Sequence, residues 1–279
     1  MKVRLLGTAA GGGVPQWNCA CDGCAAARRA GVARSQDCVA ISGDQRSWYL
    51  LNASPDLRAQ ILSAPELAPG PGRRDTPIRG VLLSTAELDH ALGLLTLREA
   101  EALSVYASAT VLAALDGPLG LRRALAAYTD VSWQALAPGE DIHLNGGLRV
   151  CATVVGAKRP RYAADADGGD WVVAYRITDP RTGGVLVYAP CLPAFDPSLV
   201  EGADCALLDG TFLDEDEMVR ATGGGRSATA MGHLPVSVSR RTLTRPGVRR
   251  LLYTHLNNTN PLAVGGGEDV AEDGLTLTL

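Results

Sequence analysis

The sequence predicts a single α/β domain, because short strand patterns and helical patterns alternate along its 279 residues without a break in composition. Helical patterns begin at residue 55, after residue 90 and near residue 236, the last reaching 243. Residues 100–146 indicate only short helices and turns. Apolar runs that predict strands lie at 2–6, 38–42, 48–51, 78–83, 148–154, 171–177, 185–188, 205–208 and 248–254.

The composition is typical of a globular protein, with 46% hydrophobic and 20% charged residues and a net charge of −4. A chain of this length buries about 75% of its unfolded surface, so disulfides are not needed to hold a core. The negative balance gives no basis for binding nucleic acid or an anionic membrane. No apolar run reaches the ~18 residues that a membrane helix needs, and the N-terminal segment lacks a signal-peptide pattern. We therefore expect a cytoplasmic protein.

The seven cysteines comprise one cluster and four isolated thiols. Cys19, Cys21 and Cys24 form a Cys-x-Cys-x-x-Cys run, which in a reducing compartment favours metal binding over disulfides. Three thiolates at this spacing can contact one Zn²⁺ at about 2.3 Å, so we predict a structural zinc in a loop at about 17–26. Loose or redox-active thiols are the alternative, and the fourth ligand stays open. The isolated cysteines, expected to be small buried apolar residues, are Cys38, Cys151, Cys191 and Cys205.

Acidic and histidine side chains follow three of the predicted strands. Asp89 and His90 come soon after the strand that ends at residue 83, Asp209 follows the next-to-last strand, and His255 follows the last. Loops after rigid strands often carry functional residues. We therefore expect these side chains to form a site, with ordinary hydrogen-bonded histidines as the alternative.

The order of these motifs resembles the metallo-β-lactamase fold and, more closely, the pyrroloquinoline-quinone (PQQ) biosynthesis protein B family. The resemblance implies an αββα sandwich, in which two mixed β-sheets are flanked by helices and the metal site lies at the strand ends between the sheets. It runs nearly end to end. The segments that carry it lie at 6–12, 15–19, 51–58, 209–211, 231–233 and 255–261.

One departure from the superfamily motif bears on the metal content. Hydrolases of the fold carry His-x-His-x-Asp-His, and the first two histidines of that motif fall at Thr85 and Glu87 here. One of two metal sites is therefore expected to be lost. Two-metal hydrolysis, which needs two ions about 3.5–4 Å apart, is then not expected. A two-histidine site with carboxylates and open positions suits Fe(II) and O₂ activation. The ligands that the resemblance implies for this iron are Asp89, His90, Asp209 and His255.

The family resemblance implies a hydroxylase that inserts oxygen from O₂ into the tyrosine ring of a Glu-Tyr unit derived from a precursor peptide, alongside other PQQ-biosynthesis enzymes. Glu87 is expected near the iron as a water-bridged neighbour, a base or a weak ligand, or else as a solvated carboxylate. A basic loop is expected to supply cations that bind the substrate carboxylates, and its residues are Lys158, Arg159 and Arg161. The alternative is that this loop is an ordinary solvated surface.

Two further alternatives remain at this point. His233 is slightly favoured as the fourth zinc ligand over Asn258, which lies where phosphodiesterase relatives have a histidine. For function, the rivals are a zinc hydrolase and a non-catalytic carrier that binds finished PQQ and assists its transport. The absence of histidines at Thr85 and Glu87 disfavours the hydrolase, which needs two metals. The complete set of four predicted iron ligands disfavours the carrier, which would not require them.

Overall fold

The computed structural model describes residues 1–242 and 247–279, so the predicted helical residue Leu243 lies outside the described residues. In the described ranges the strands are β1 (Lys2–Gly7), β2 (Cys38–Ser42), β3 (Trp48–Leu51), β4 (Ile78–Leu82), β5 (Ala102–Ser108), β6 (Asp130–Leu136), β7 (Asp141–His143), β8 (Arg149–Gly156), β9 (Val172–Thr178), β10 (Val185–Ala189), β11 (Ala203–Asp209), β12 (Val248–Thr254) and β13 (Thr276–Thr278). The α-helices are α1 (Asp22–Ala30), α2 (Leu57–Leu62), α3 (Leu88–Ala91), α4 (Ala109–Asp116), α5 (Leu121–Leu125), α6 (Glu217–Thr222), α7 (Val236–Thr242) and α8 (Leu262–Gly265).

The strands form two mixed sheets. The first has the order β13-β1-β2-β3-β4-β5-β6 and the second the order β12-β11-β10-β9-β8-β7. Neighbours from β3 to β6 are parallel, as are β10, β11 and β12, and the remaining pairs are antiparallel. The consecutive strands β2 and β3 pair antiparallel and form a hairpin.

Within the described residues, three apolar layers form most of the core, and a smaller cluster lies around Leu256. Side chains from both sheets, such as Leu5 and Tyr175, pack together between them. The outer face of the first sheet packs against α2, α4 and α5, and the outer face of the second packs against α7 through Val236. Both sheets therefore bury both faces, and the predicted αββα sandwich is confirmed. Within the described residues, no helix is long and apolar enough to cross a bilayer.

The interpretation of residues 100–146 as helices and turns is wrong in part, because β5, β6 and β7 lie there. Both β6 and β7 are edge strands, and β6 pairs only with β5. An edge strand needs no continuous apolar run, and β6 exposes Asp130 and Gln134. The sequence of this strand therefore carries little of the hydrophobic signal from which strands are predicted.

Candidate metal centres

Parallel strands bring functional side chains to one edge of the second sheet. Because β10, β11 and β12 run parallel to one another, their carboxyl ends lie together. Asp209 ends β11, His255 directly follows β12, and Cys191 lies two residues after β10. On the facing sheet, β4 leads into α3, which carries Asp89 and His90. The site lies where these strand ends meet.

His90 is fully buried and has one nitrogen without a partner. Its Nδ1 lies 2.8 Å from Thr85 Oγ1, whereas Nε2 is buried and has no hydrogen-bond partner. With the proton on Nδ1, donated to Thr85, no N–H is buried unsatisfied and Nε2 keeps a lone pair. Burial lowers the pKa of His90 to about 4, so the ring is neutral at pH 7. A neutral imidazole oriented through its other nitrogen is suited to bind a metal.

Asp89 lies between the two histidine rings. Its Oδ2 is 3.2 Å from His255 Nε2 and 3.9 Å from His90 Nε2. Burial disfavours the charge of Asp89, but the neighbouring imidazole of His90 and the hydrogen bond from His255 outweigh it and hold the pKa of Asp89 well below the usual range. Burial likewise opposes charge on His255, yet Asp89 raises the pKa of that imidazole above its ordinary value. The carboxylate thus favours positive charge beside Nε2, whether a proton or a metal ion supplies it.

Asp209 is hydrogen-bonded at both carboxylate oxygens. Oδ1 accepts from the amide of Thr211 at 3.0 Å and from its hydroxyl at 2.7 Å. Oδ2 accepts from Leu192 N at 2.8 Å and from His233 Nδ1 at 2.8 Å. Burial disfavours ionisation, but the neighbouring imidazole of His233, hydrogen-bonded to Oδ2, outweighs it and holds the pKa of Asp209 below its ordinary value.

Asp209 and Asp89 approach the ring of His255 at different nitrogens. His255 Nδ1 donates to Thr211 Oγ1 at 2.9 Å, and that hydroxyl in turn donates to Asp209. Asp209 is thus connected to the Nδ1 edge of His255, whereas Asp89 contacts its Nε2. The backbone of His255 has φ 58°, in the left-handed region that non-glycine residues rarely adopt, so the chain turns sharply where the ring is placed.

His233 belongs to this region and not to the cysteine cluster, so its assignment as the fourth zinc ligand is corrected. It is 4% exposed, donates to Asp209 and stacks on His255 with ring centroids 5.7 Å apart. Within the described residues, three groups have ligand atoms within 4.8 Å of one another: Cys19, Cys21 and Cys24; His90, Cys191 and His255; and Asp209, His233 and His255. Cys191 is therefore a site residue that the sequence analysis placed among the isolated thiols.

Of the three cations predicted for substrate binding, the structure brings Lys158 to the site. Its Nζ lies 3.5 Å from His233 Nε2 and 3.7 Å from Glu87 Oε1. Glu87 precedes α3, and its side chain is 27% exposed, so it faces the opening of the site. Arg159 instead donates to the carbonyl of Ala166 in its own loop, and Arg161 is exposed in a short 3₁₀ turn.

The three clustered cysteines lie around the side chain of Asn258. Asn258 Nδ2 is 3.3 Å from Cys19 Sγ, 3.6 Å from Cys21 Sγ and 3.3 Å from Cys24 Sγ. Ligand atoms of a tetrahedral zinc, bonded at about 2.3 Å for sulfur and about 2.0 Å for oxygen, lie about 3.5 Å apart. The amide is thus placed where a fourth ligand belongs, and rotating it exchanges Nδ2 for Oδ1, which can bind a metal.

Close backbone packing holds Asn258 against the cysteines. A Cβ on Gly23, in the first turn of α1, would lie 2.4 Å from the Asn258 carbonyl oxygen, so only glycine permits this approach. Arg28 fixes the cysteine loop by donating to the carbonyls of Cys19 at 2.7 Å and Gln16 at 2.8 Å. Because Asn258 follows His255 by three residues, one loop contributes to both candidate centres.

Comparison with known proteins defines the class first. Residues 47–256 match the family model of the beta-lactamase superfamily domain. A diphosphatase from the PhnP family shares the fold, with a TM-score of 0.72 at 18% identity over 99% of this chain and 96% of that one. The chain is thus a member of the beta-lactamase superfamily.

More similar proteins define the family within that class. The coenzyme PQQ synthesis protein B of Azoarcus sp. (strain BH72) is 38% identical over 100% of both chains, and that of Methylococcus capsulatus is 37% identical over 100% of both. The crystal structure of Zn(2+)-bound PqqB from Methylobacterium extorquens matches with a TM-score of 0.89 and 35% identity, covering 100% of each chain. The chain belongs to the coenzyme PQQ synthesis protein B family.

Proposed function

We propose that this protein is an iron-dependent oxygenase of PQQ biosynthesis that hydroxylates the tyrosine ring of a Glu-Tyr unit. Its family is named for PQQ synthesis, which supports a role for this protein in that pathway. The convergence of Asp89 with two buried imidazoles supports the reaction class, because two histidines and one carboxylate with open positions are typical of non-haem Fe(II) oxygenases. Thr85 and Glu87, in place of histidines, argue against a second metal.

The residues proposed to hold the iron are Asp89, His90 and His255. The orphaned Nε2 of His90 fits this role, because a bound metal would satisfy a buried lone pair that otherwise has no partner. When bound, the ion supplies the one-electron chemistry that activates O₂. Asp209, predicted as a fourth ligand, has both oxygens occupied by hydrogen bonds, and we assign it instead to orienting His233.

His233 and Lys158 are the residues proposed to handle the substrate. Because His233 keeps its proton on Nδ1 for Asp209, its Nε2 offers a lone pair on the side of Lys158. We propose that this nitrogen accepts the phenolic proton of the substrate's tyrosine ring. Lys158, held between Glu87 and His233, can exchange its contact with Glu87 for a substrate carboxylate.

The cysteine cluster is proposed to bind a structural zinc through Cys19, Cys21, Cys24 and the Asn258 amide oxygen. Amides of the loop already donate to two of the sulfurs, Gln16 N to Cys24 at 3.3 Å and Cys21 N to Cys19 at 3.5 Å, which fixes the positions of these two side chains. Four protein ligands close the site to substrate. The proposed role of this zinc is therefore to anchor the loop that carries His255.

The proposed partners are the other enzymes of PQQ biosynthesis, which must release the substrate from a precursor peptide, and the proposed compartment is the cytoplasm. The deciding experiment is anaerobic reconstitution with Fe(II), followed by O₂ uptake and product mass with Glu-Tyr, with Zn(II) as the control metal. An added reductant such as ascorbate supplies the two electrons that reduce the second oxygen atom of O₂ to water for each hydroxyl group formed. We expect uptake with iron alone and a product heavier by oxygen.

Variants make this experiment specific. Asp89→Ala and His255→Ala should lose iron and product together, whereas His143→Ala, an exposed histidine of β7, should lose neither. Full turnover in either site variant would contradict the assignment. Cleavage of phosphodiesters by the zinc-loaded protein would instead identify a hydrolase, and PQQ binding without O₂ uptake would identify a carrier.

A further inference from the structure

We propose that Cys191 binds the active-site metal through its thiolate, together with His90 and His255. The centre would then be a thiolate site with two histidines and Asp89, which differs from a site of nitrogen and oxygen ligands alone. This inference rests on the metal centre proposed above and concerns which atoms complete it.

The first observation is the position of the thiol. Cys191 is 6% exposed, and its Sγ lies within 4.8 Å of ligand nitrogens of His90 and His255. Ligand atoms bound to one ion at about 2.1–2.3 Å are separated by at most about 4.5 Å, so small side-chain movements suffice for all three to share a metal. The next residue, Leu192, donates its amide to Asp209 Oδ2 at 2.8 Å, which fixes the loop that carries the thiol.

The second observation is independent of the cysteine. His90 Nε2 is buried without a hydrogen-bond partner, which points to a ligand missing between this nitrogen and its neighbours. His255 Nε2 and Asp89 Oδ2, 3.2 Å apart, border the same space. The group that closes it must bind nitrogen, oxygen and sulfur atoms at once, as a transition-metal ion does.

Cys191 differs from two other buried cysteines in its position along its strand, although it also packs against apolar residues. Cys205, in the middle of β11, packs in the apolar layer between the sheets, and Cys38 in β2 donates to the Asn52 carbonyl at 3.2 Å. Cys191 instead lies after a strand, at the edge where Asp209 and His255 also lie.

Thiolate ligation has defined chemical consequences. Binding replaces the thiol proton by the metal, so that the Cys191 S–H bond breaks, a sulfur–metal bond forms and the proton passes to solvent. The thiolate and the Asp89 carboxylate together neutralise a divalent ion. Soft sulfur also favours Zn(II) over Mn(II), so the protein should retain zinc more strongly than the other ligands alone would.

The test uses cobalt as a spectroscopic probe in the full-length protein. Zinc first fills the cysteine cluster, and Co(II) is then titrated anaerobically into the second site. We expect visible d–d bands together with a sulfur-to-cobalt charge-transfer band in the near ultraviolet. Cys191→Ser should keep the d–d bands and lose the near-ultraviolet band, and Cys191→Ala serves as a second variant if the serine protein does not fold.

Two controls separate the possible failures. Cys205→Ala, which removes a distant buried thiol, should keep both sets of bands, and His90→Ala should reduce binding of the second ion itself. An unchanged near-ultraviolet band in Cys191→Ser would overturn thiolate ligation while leaving the metal centre in place. Failure of the parent protein to bind any cobalt beyond the zinc site would overturn both the proposed metal centre and this inference.

Discussion

Thr85 Oγ1 lies 2.8 Å from His90 Nδ1, so the residue that stands in place of a metal-binding histidine orients another histidine. The same hydroxyl accepts from Glu87 N at 3.1 Å, which ties it to the start of α3. The residue at which a metal ligand is predicted to be lost thus contacts His90, which we propose as a ligand. Such indirect contacts commonly determine metal affinity, because they fix the tautomer and direction of the imidazole.

Thr85→Val tests this coupling. Valine keeps the shape of the side chain but removes the hydroxyl, so the Nδ1 proton of His90 loses its acceptor and the Nε2 lone pair is no longer fixed towards the site. We expect the affinity for Fe(II) or Co(II) to fall about 10- to 100-fold, as measured by anaerobic titration. Thr85→Ser, which retains the hydroxyl, should bind nearly as the parent does. Equal affinities in the two variants would exclude an orienting role.

His233→Asn tests the proposed proton acceptor without disturbing its anchor. The asparagine amide can still donate to Asp209, as Nδ1 of the histidine does, but nothing replaces Nε2 beside Lys158. We expect iron content to be unchanged and turnover of Glu-Tyr to fall about 10²- to 10⁴-fold. Metal analysis and product mass measure the two effects separately. The matched control, His143→Asn in an exposed strand, should leave turnover unaltered.

If His233→Asn loses iron as well as turnover, His233 acts on the metal. The proposal that Asp89 binds the iron while Asp209 only orients His233 would then be wrong. Parental turnover with parental iron would remove His233 from the proton pathway. Only loss of turnover with iron retained agrees with the proposal.

Most of the fold was predictable, because β10 and β11 contain continuous buried apolar runs and β4 and β12 each end in three buried residues. The metal ligands were predicted from the acidic and histidine residues that follow such strands. The same reasoning applied to β10 points to Cys191, two residues beyond its end, whereas the general tendency of isolated buried cysteines to be structural points away from it.

Other features of the site depend on tertiary contacts that no local pattern contains. His233 follows a glycine in a loop, and only the folded chain places it 2.8 Å from Asp209. The sequence also does not indicate that Asp209 and Asp89 lie at different nitrogens of one imidazole. That difference arises from the φ of 58° at His255 and from the hydroxyl of Thr211, and it changes the proposed role of Asp209.

Asn258→Ala tests the fourth zinc ligand. Removing the amide leaves three thiols around a position open to water, so we expect zinc affinity to fall at least about tenfold, as measured by competition with a chromophoric chelator. Asn258→Asp, which keeps an oxygen at that position, should retain zinc. His233→Ala should retain it too, because that ring lies with Asp209. Parental zinc affinity in Asn258→Ala would leave water or another group as the fourth ligand.

The buried carboxyl of Asp37, which lies beneath the site, is expected to make the free energy of unfolding depend on pH. It is 1% exposed and accepts hydrogen bonds from Thr254 Oγ1, at 2.5 Å, and from the Tyr188 hydroxyl. Burial raises the pKa of Asp37 to about 6, against about 3.9 in an unfolded chain. The folded state therefore holds this proton at pH values where the unfolded state has released it. The resulting stabilisation is complete below about pH 4 and is lost as pH rises through about 6.

Asp37→Asn removes this titration while keeping the size of the side chain. As pH rises from about 4.5 to about 7.5, the free energy of unfolding of the parent should fall by about 2 kcal/mol relative to that of the variant. Urea unfolding of both proteins at each pH measures this difference, and effects of acid on the metal sites, common to both proteins, cancel in it. A difference that stays constant with pH would show that Asp37 titrates alike in the folded and unfolded states, and that the network beneath His255 does not hold a protonated carboxyl.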